Sequence, residues 1–195
     1  MGRGAPLFSS GAFRCDEMAP AEVPRLQRFF EANPEYFLAV EGAPPGPDAG
    51  REAYGSKPPA EWPWDRKIVL GFEDASGALV AMADVIANLF SKGIWHVGLY
   101  IVATPLHGTG AARTMYQAME SWMRSQGADW SRLNVVVGNA RAERFWRSME
   151  YMEVRQRHGV EMGRRTHDLR VMVKPLTGRG MDDYFARVKR DAEPA

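Results

Sequence analysis

Residues 94–126 read IWHVGLYIVATPLHGTGAARTMYQAMESWMRSQ, and the order of features along them decides the fold. Ile94 to Val102 is rich in β-branched and aromatic residues, the composition of a strand. A turn, Ala103-Thr104-Pro105-Leu106, leads into His107-Gly108-Thr109-Gly110-Ala111-Ala112. Beyond it, Ala112, Met115, Tyr116, Met119, Trp122 and Met123 recur at the spacing of one helix face. Strand, glycine turn and helix start in one piece make an anion site. Gly108 and Gly110 let backbone amides approach a ligand, and the free amides at the positive end of the helix dipole favour phosphate oxygens.

The form of the turn narrows the ligand. No lysine follows the glycines, which excludes a P-loop, and the dinucleotide fingerprint G-x-G-x-x-G/A would end on Arg113. A second segment, residues 133–151, reads LNVVVGNARAERFWRSMEY. It gives a short β run, then Asn139-x-x-Ala142-x-x-Phe145-Trp146, then Met149-Glu150-Tyr151. The first segment resembles the acetyl-CoA loop [R/Q]-x-x-G-x-[G/A] of the GNAT superfamily of N-acetyltransferases, with His107 in the Arg/Gln place and Thr104 where Pro is usual. The second is similar to that family's N-x-x-A-x-x-[L/F]-Y-x-x-x-G-F unit. Both occur in the family's order, a helix and a strand apart. The resemblance covers residues 66–174 well and 12–41 loosely. It implies an α/β (α+β) domain with a mixed, mostly antiparallel twisted sheet of about seven strands and helices on both faces.

Composition agrees with one globular domain. The 195 residues are 45% hydrophobic and 25% charged, enough for a sizeable core. A net charge of +1 gives no reason to expect nucleic acid or a membrane as partner. The single cysteine, Cys15, excludes an intrachain disulfide and reads best as a small core residue. There is no apolar signal core and no run of about 18 apolar residues, so a cytoplasmic location is expected.

Read in order, residues 1–10 form a loose end. Phe13 to Asp16 is a candidate edge strand, Pro20 to Asn33 a helix, and Glu35 to Glu41 a second short element. Tyr36 and Phe37 either line an acceptor pocket or pack on the sheet. Residues 42–63, rich in Pro and Gly, read as a long loop. At its end Trp62 and Trp64 either wall an acceptor site or pin the loop. Arg66 to Glu73 and Ala78 to Ala87 flank the hairpin turn Asp74-Ala75-Ser76-Gly77, so residues 66–102 form an antiparallel meander. A buried strand near Leu133–Val137, the Asn139 helix, and a hairpin of Tyr151 to Arg157 with Thr166 to Val173 follow. The GNAT domain thus spans 1–176. Residues 177–195 make a tail whose short amphipathic helix, 181–190, packs on its own domain or on a second subunit.

The resemblance implies acetyl transfer from acetyl-CoA to a small-molecule or peptide amine by direct attack in a ternary complex. No metal is expected. Gly108, Thr109, Gly110, Ala111 and Ala112, preceded by His107, would cradle the pyrophosphate. Ile101 and Val102 would offer the pantetheine arm a strand edge and the thioester oxygen a backbone amide. Asn139 matches the family's cofactor-side asparagine, and also suits a helix cap. Two positions depart from the pattern. Asn134 stands where many members carry a glutamate base, leaving His96, Tyr100 and Asp84 as candidates. By simple alternation, His96, Gly98, Tyr100 and Val102 share one strand face. Trp146 occupies the place of the tyrosine that protonates the departing thiolate. An indole N–H donates a hydrogen bond but supplies no proton at neutral pH. These departures keep an alternative open, an acyl-CoA-binding sensor on the same fold with little catalysis. The last hairpin carries Arg155, Arg157, Arg164, Arg165 and Arg170. They are either a solvated face or a border of the acceptor mouth favouring carboxylate or phosphate. Dimers are common in the family, so a homodimer is a further expectation.

Overall fold

A computed structural model describes residues 5–192. Residues 1–4 and 193–195, parts of the expected loose end and tail, lie outside the described residues. The strands are β1 (Phe8–Ser10), β2 (Phe13–Glu17), β3 (Arg66–Glu73), β4 (Leu79–Ala87), β5 (Ile94–Val102), β6 (Trp130–Val136), β7 (Met152–Met162) and β8 (Arg165–Pro175). The helices are α1 (Val23–Ala32), α2 (Glu35–Val40), α3 (Ala49–Gly55), α4 (Ala111–Ser125), α5 (Ala140–Ser148), α6 (Met181–Arg187) and α7 (Lys189–Ala192). All strands join one sheet in the order β1-β2-β3-β4-β5-β6-β8-β7. Only β5 and β6 pair in parallel. Eight strands replace the expected seven, because Phe8–Ser10, assigned to the loose end, pairs with β2 and displaces it from the edge. Phe8 anchors that strand by stacking on Trp122 of α4 at 5.5 Å.

Local chemistry sets the turns. Asp74 Oδ1 accepts from the Ser76 and Ala78 amides at 2.9 and 3.1 Å, closing the β3–β4 hairpin around Gly77. Asn139 Oδ1 accepts the Ala142 amide at 3.2 Å and caps α5. Residues 42–63 are not a plain loop: Ala49–Gly55 is helical and packs beside α1. There Gln27 Oε1 accepts the Gly50 amide at 2.8 Å, and a Cβ on Gly50 would come within 2.8 Å of the Gln27 nitrogen.

One face of the sheet carries α4 and α5, with Trp95, Val97, Tyr100 and Val102 of β5 packed among Met115, Tyr116, Met119 and Trp146. The opposite face carries α1–α3, where Leu26, Phe29, Phe30 and Phe37 meet Val69, Met82 and Ile101. The tail continues that second face. Tyr184 and Val188 are buried against Ile94, Trp130 and Val173, and Arg132 pairs with Asp191. No helix among the described residues is long and apolar enough to cross a membrane.

The faces expose an error in simple alternation. In β5 the register against β4 shifts: Asp84 opposes Leu99, whereas Val85 opposes Val97. Gly98 is the extra residue, a β-bulge. Trp95 and Val97 therefore share a face with Tyr100 and Val102, while His96 lies on the other with Leu99 and Ile101. The expected common face of His96 and Tyr100 does not exist.

Candidate functional site

The bulge marks where the sheet opens. β5 and β6 pair from Ile94↔Trp130 to Val97↔Leu133 and no further. Beyond that point β5 follows β4 to Val102, and β6 follows β8 to Val136. The edge of β5 from Gly98 onward is thus free of a strand partner on one side. Gly98 is exposed in the middle of an eight-stranded sheet.

Beside this opening lies a cleft of about 380 Å³. Its walls include Tyr100, Ile101 and Val102 from β5, and His107, Gly108 and Ala112 from the glycine turn and α4. Asn139 and Trp146 of the α5 unit close another side. Eight positions singled out by sequence thus meet in one cavity. Asn33, Glu35, Tyr36 and Ala39 from the α1–α2 junction roof it. Tyr36 takes the pocket-lining alternative, whereas Phe37 is buried edge-on to Phe30 at 4.9 Å.

Gly108 and Gly110 have φ of +78° and +87°, so both sit where only glycine rests without strain. A Cβ at either would meet nothing within 4 Å, which makes the loop an open cradle. The first amides of α4 have no carbonyl ahead of them within the helix, and their dipole end faces the turn. The residues present therefore fit a pyrophosphate. Thr109, Gly110 and Ala111, between Gly108 and Ala112, do not line the cleft. The Thr109 hydroxyl donates to the Leu106 carbonyl at 2.8 Å and stabilises the turn. His107 is turned inward: its Nε2–H donates to the Val102 carbonyl at 2.8 Å, tying the loop to the strand end.

The proton-handling candidates separate. His96 is buried on the opposite face, its Nδ1 3.4 Å from Arg132 Nη1. Burial first, and then the Arg132 charge, push its pKa down to about 3. An imidazole of that low basicity, buried against a guanidinium, takes no proton from an ammonium, so His96 is withdrawn as a base. Tyr100 lines the cleft, but its hydroxyl donates to the Ala112 carbonyl at 2.8 Å and burial raises its pKa well above the usual value. Its hydroxyl proton is committed to fastening β5 to α4, and Tyr100 is withdrawn as a base on that ground. Trp146 packs edge-on against Tyr116 at 4.8 Å and shapes the wall.

Asp84 differs from both. It faces the same side as Leu99 and His96, outside the cleft lining, and Lys67 Nζ lies 3.1 Å from its Oδ2. Its Oδ1 is buried without a hydrogen-bond partner. A Cβ on Gly98 would be 3.4 Å from Oδ2, which places the carboxylate against the bulge at the opening. Burial raises its pKa, and Lys67 opposes part of that rise. Lys67 is held by the end of α3, donating to the Ala53 and Ser56 carbonyls at 2.6 and 2.8 Å.

Several groups lie elsewhere. Trp62 packs on Phe90 at 4.9 Å and under the Arg190 guanidinium at 4.4 Å, pinning the loop instead of lining the cleft. Of the hairpin arginines, Arg170 pairs with Glu143 and Glu153, and Arg165 donates to the Ala39 carbonyl at 2.9 Å. The Arg164 amide donates to the Glu41 carbonyl, so the hairpin tip is clasped to the end of α2. Lys67 and the Arg132–Asp191 pair were not singled out by sequence. Asp84 within LVAMADVIA, one charge in an apolar strand, is the signal that could have led to Lys67.

The profile of the family described as "Acetyltransferase (GNAT) family" matches residues 19–151. No curated protein matches the chain significantly in sequence. Solved structures similar to the chain include the ribosomal-protein-S18-alanine N-acetyltransferase from Escherichia coli, with a TM-score of 0.64 at 14% identity over 86% of this chain and 96% of that one. An acetyltransferase from Thermus thermophilus gives 0.66 at 18% identity, covering 84% and 97%. Spermidine N-acetyltransferase from Vibrio cholerae, in complex with CoA and spermine, gives 0.66 at 15% identity, covering 85% and 96%. At these identities the likeness is one of fold.

Proposed function

The chain belongs to the GNAT acetyltransferase family, and from that premise we propose that it acetylates a primary amine by direct attack within a ternary complex. The family uses acetyl-CoA, whose thioester supplies an activated acetyl carbon. The observation that carries the reading is the parting of β5 and β6 beside a glycine turn with an open cradle. It supports separate, adjoining places for the pyrophosphate and the thioester.

In this reading the amides around Gly108 to Ala112 hold the pyrophosphate, and the free edge of β5 at Ile101 and Val102 aligns the pantetheine arm. A backbone N–H near Val102 stabilises negative charge on the carbonyl oxygen. Asn139 and Trp146 bound the cleft on the α5 side. The amine arrives protonated at neutral pH and must lose a proton before it attacks. Asp84 takes that proton on Oδ1, while Lys67 holds Oδ2 and fixes the carboxylate. Trp146 gives no proton to the leaving thiolate. A thiol of pKa about 8.5 leaves tolerably without one.

Calorimetric titration of acetyl-CoA, followed by free-thiol release against a panel of primary amines, tests this reading. Tight binding with amine-dependent thiol release supports it. Tight binding with no release from any amine favours the sensor, and no binding overturns the loop assignment.

A further inference from the structure

The sheet face bearing His96 holds a group of cations that the chemistry above leaves unused. Arg132, Arg155, Arg157 and Arg190 converge there from β6, β7 and α7, with Asp191 the one carboxylate among them within the described residues. Both Asp191 oxygens are committed. Arg132 Nε and Nη2 donate to them at 2.7 and 3.1 Å, and the Tyr184 hydroxyl donates to Oδ2 at 2.6 Å.

The remaining three guanidiniums form no ion pair with a carboxylate among the described residues, and Asp191 reaches Arg155 and Arg157 only through its field. Arg155 Nη1 donates to the Arg190 carbonyl, but its Nε is buried with no partner. Arg190 lies over the Trp62 and Phe90 rings at 4.4 and 4.8 Å. Arg157 is half-buried, and its side chain makes no hydrogen bond or ion pair among the described residues. Burial, and then the charges of Arg132, Arg190 and Arg155, hold its pKa below the usual arginine value. A protein retains half-buried, mutually repelling cations at a cost. A guanidinium fork matches carboxylate and phosphate oxygens in shape and charge, and such an anion would offset that repulsion.

The position links the cluster to the acceptor. Arg155 and Arg157 oppose Val171 and Leu169 of β8, which oppose Asn134 and Val136 of β6. Asn134 is the first β6 residue beyond the pairing with β5, and its Oδ1 is buried without a partner. Two strand spacings, roughly 10 Å, separate that opening from the backbone of β7, and the arginine side chains reach back across part of it. We propose that Arg155, Arg157 and Arg190 form a subsite for a carboxylate or phosphate carried by the amine acceptor, several bonds from its reacting nitrogen. This rests on the transferase reading above and adds the acceptor's charge to it.

Two measurements test it on the full chain with saturating CoA, so that added phosphate does not act through the glycine turn. In the first, thermal midpoints are recorded against inorganic phosphate and against glutarate at constant ionic strength. The wild-type midpoint should rise with at least one anion, and Arg157→Gln should not respond. Before any anion is added, Arg157→Gln should unfold at the same temperature as wild type or higher, because it removes a repelled cation. A lower starting midpoint would mark a structural arginine. No rise in wild type, or an equal rise in the variant, overturns the subsite.

In the second, kcat/KM is compared for pentylamine, 5-aminopentanoate and O-phosphoethanolamine with acetyl-CoA as donor. Wild type should favour a charged amine by about tenfold or more, the strength of a charge-assisted pair. In Arg157→Gln that ratio should collapse toward one, and in Arg157→Lys it should fall between. The two charged amines separate carboxylate from phosphate. Equal rates with charged and uncharged amines overturn the subsite while leaving the transferase standing. Turnover of no amine, with the anion-dependent midpoint intact, sinks the transferase reading instead.

Discussion

In the proposed reading, the two sides of β5 bind in opposite ways. On the α4–α5 side, the cofactor cradle is made of main chain: two glycines at positive φ and the first amides of one helix. On the other side, the groups proposed for the acceptor are side chains drawn from β3, β4, β6, β7 and α7. A main-chain site is sensitive to backbone conformation and indifferent to most side-chain changes. A side-chain site is the reverse, and its charged members act on one another. The two sides should therefore fail independently.

The largest separation is expected at Asp84. Asp84→Asn should lower kcat/KM by about 10²–10⁴ while acetyl-CoA affinity holds, the range for loss of a general base. The pH profile sharpens this. Burial raises the Asp84 pKa, and activity should fall as pH drops through that raised value and the carboxylate protonates. Lys67→Met removes a cation that favours the ionised form, so that limb should move to higher pH. An Asp84→Asn enzyme within tenfold of wild type would place the base elsewhere.

Next in size is a stability effect confined to the face that bears His96. The side chains of Arg132 and Asp191 are 5% and 1% exposed, and breaking a buried pair from one side costs about 3–5 kcal/mol. Asp191→Asn should lose that much in urea unfolding, because Arg132 is left beside Arg155 and Arg157. Replacing both partners with apolar residues should recover most of it. Acetyl-CoA binding by the folded fraction should persist, and its loss would mean that the two sides are coupled.

A smaller effect belongs to His96. The folded protein keeps it neutral down to about pH 3, whereas the unfolded chain takes up a proton below about 6.5. The unfolded state thus binds more protons between those values, and stability falls as pH falls. From pH 7 to pH 5 wild type should lose about 2 kcal/mol more than His96→Gln. Equal slopes in the two proteins would show that His96 is reached by solvent.

The same division governs what the sequence could reveal. The cradle is local, so His107 to Ala112 announces it, and so does Asn139 at the cap of α5. The meander of residues 66–102 was legible for the same reason, a turn motif between alternating runs. The acceptor side depends on which strands become neighbours. Arg132 and Asp191 are 59 residues apart, and no spacing rule joins them. The bulge was hidden differently. Gly98 is consistent with an ordinary strand, and the parity of every side chain after it depends on a register shift that one strand's sequence does not record. His96 was placed on the wrong face by that single residue. In residues 42–63, Pro and Gly masked α3 because that helix is held by Gln27 and Lys67 more than by its own propensity.

The last prediction tests the main-chain side by the smallest possible change. Gly110→Ala adds one methyl group, which would meet no atom within 4 Å, so sterics against the rest of the protein predict no effect. The backbone predicts otherwise. Gly110 holds φ +87° at the start of α4, and an L-residue pays about 1–2 kcal/mol to stay in a left-handed conformation. If the turn relaxes to escape that strain, its amides leave their phosphate-binding directions and acetyl-CoA affinity should fall about tenfold. Thr109→Ala is the contrast. It deletes a side chain whose hydroxyl donates to the Leu106 carbonyl and accepts the Ala111 amide at 3.3 Å, and should change affinity by less than about threefold. Calorimetry on the pair decides whether conformation or side-chain contact makes the cradle. A larger loss from Thr109→Ala than from Gly110→Ala would reverse the distinction between the two sides of β5.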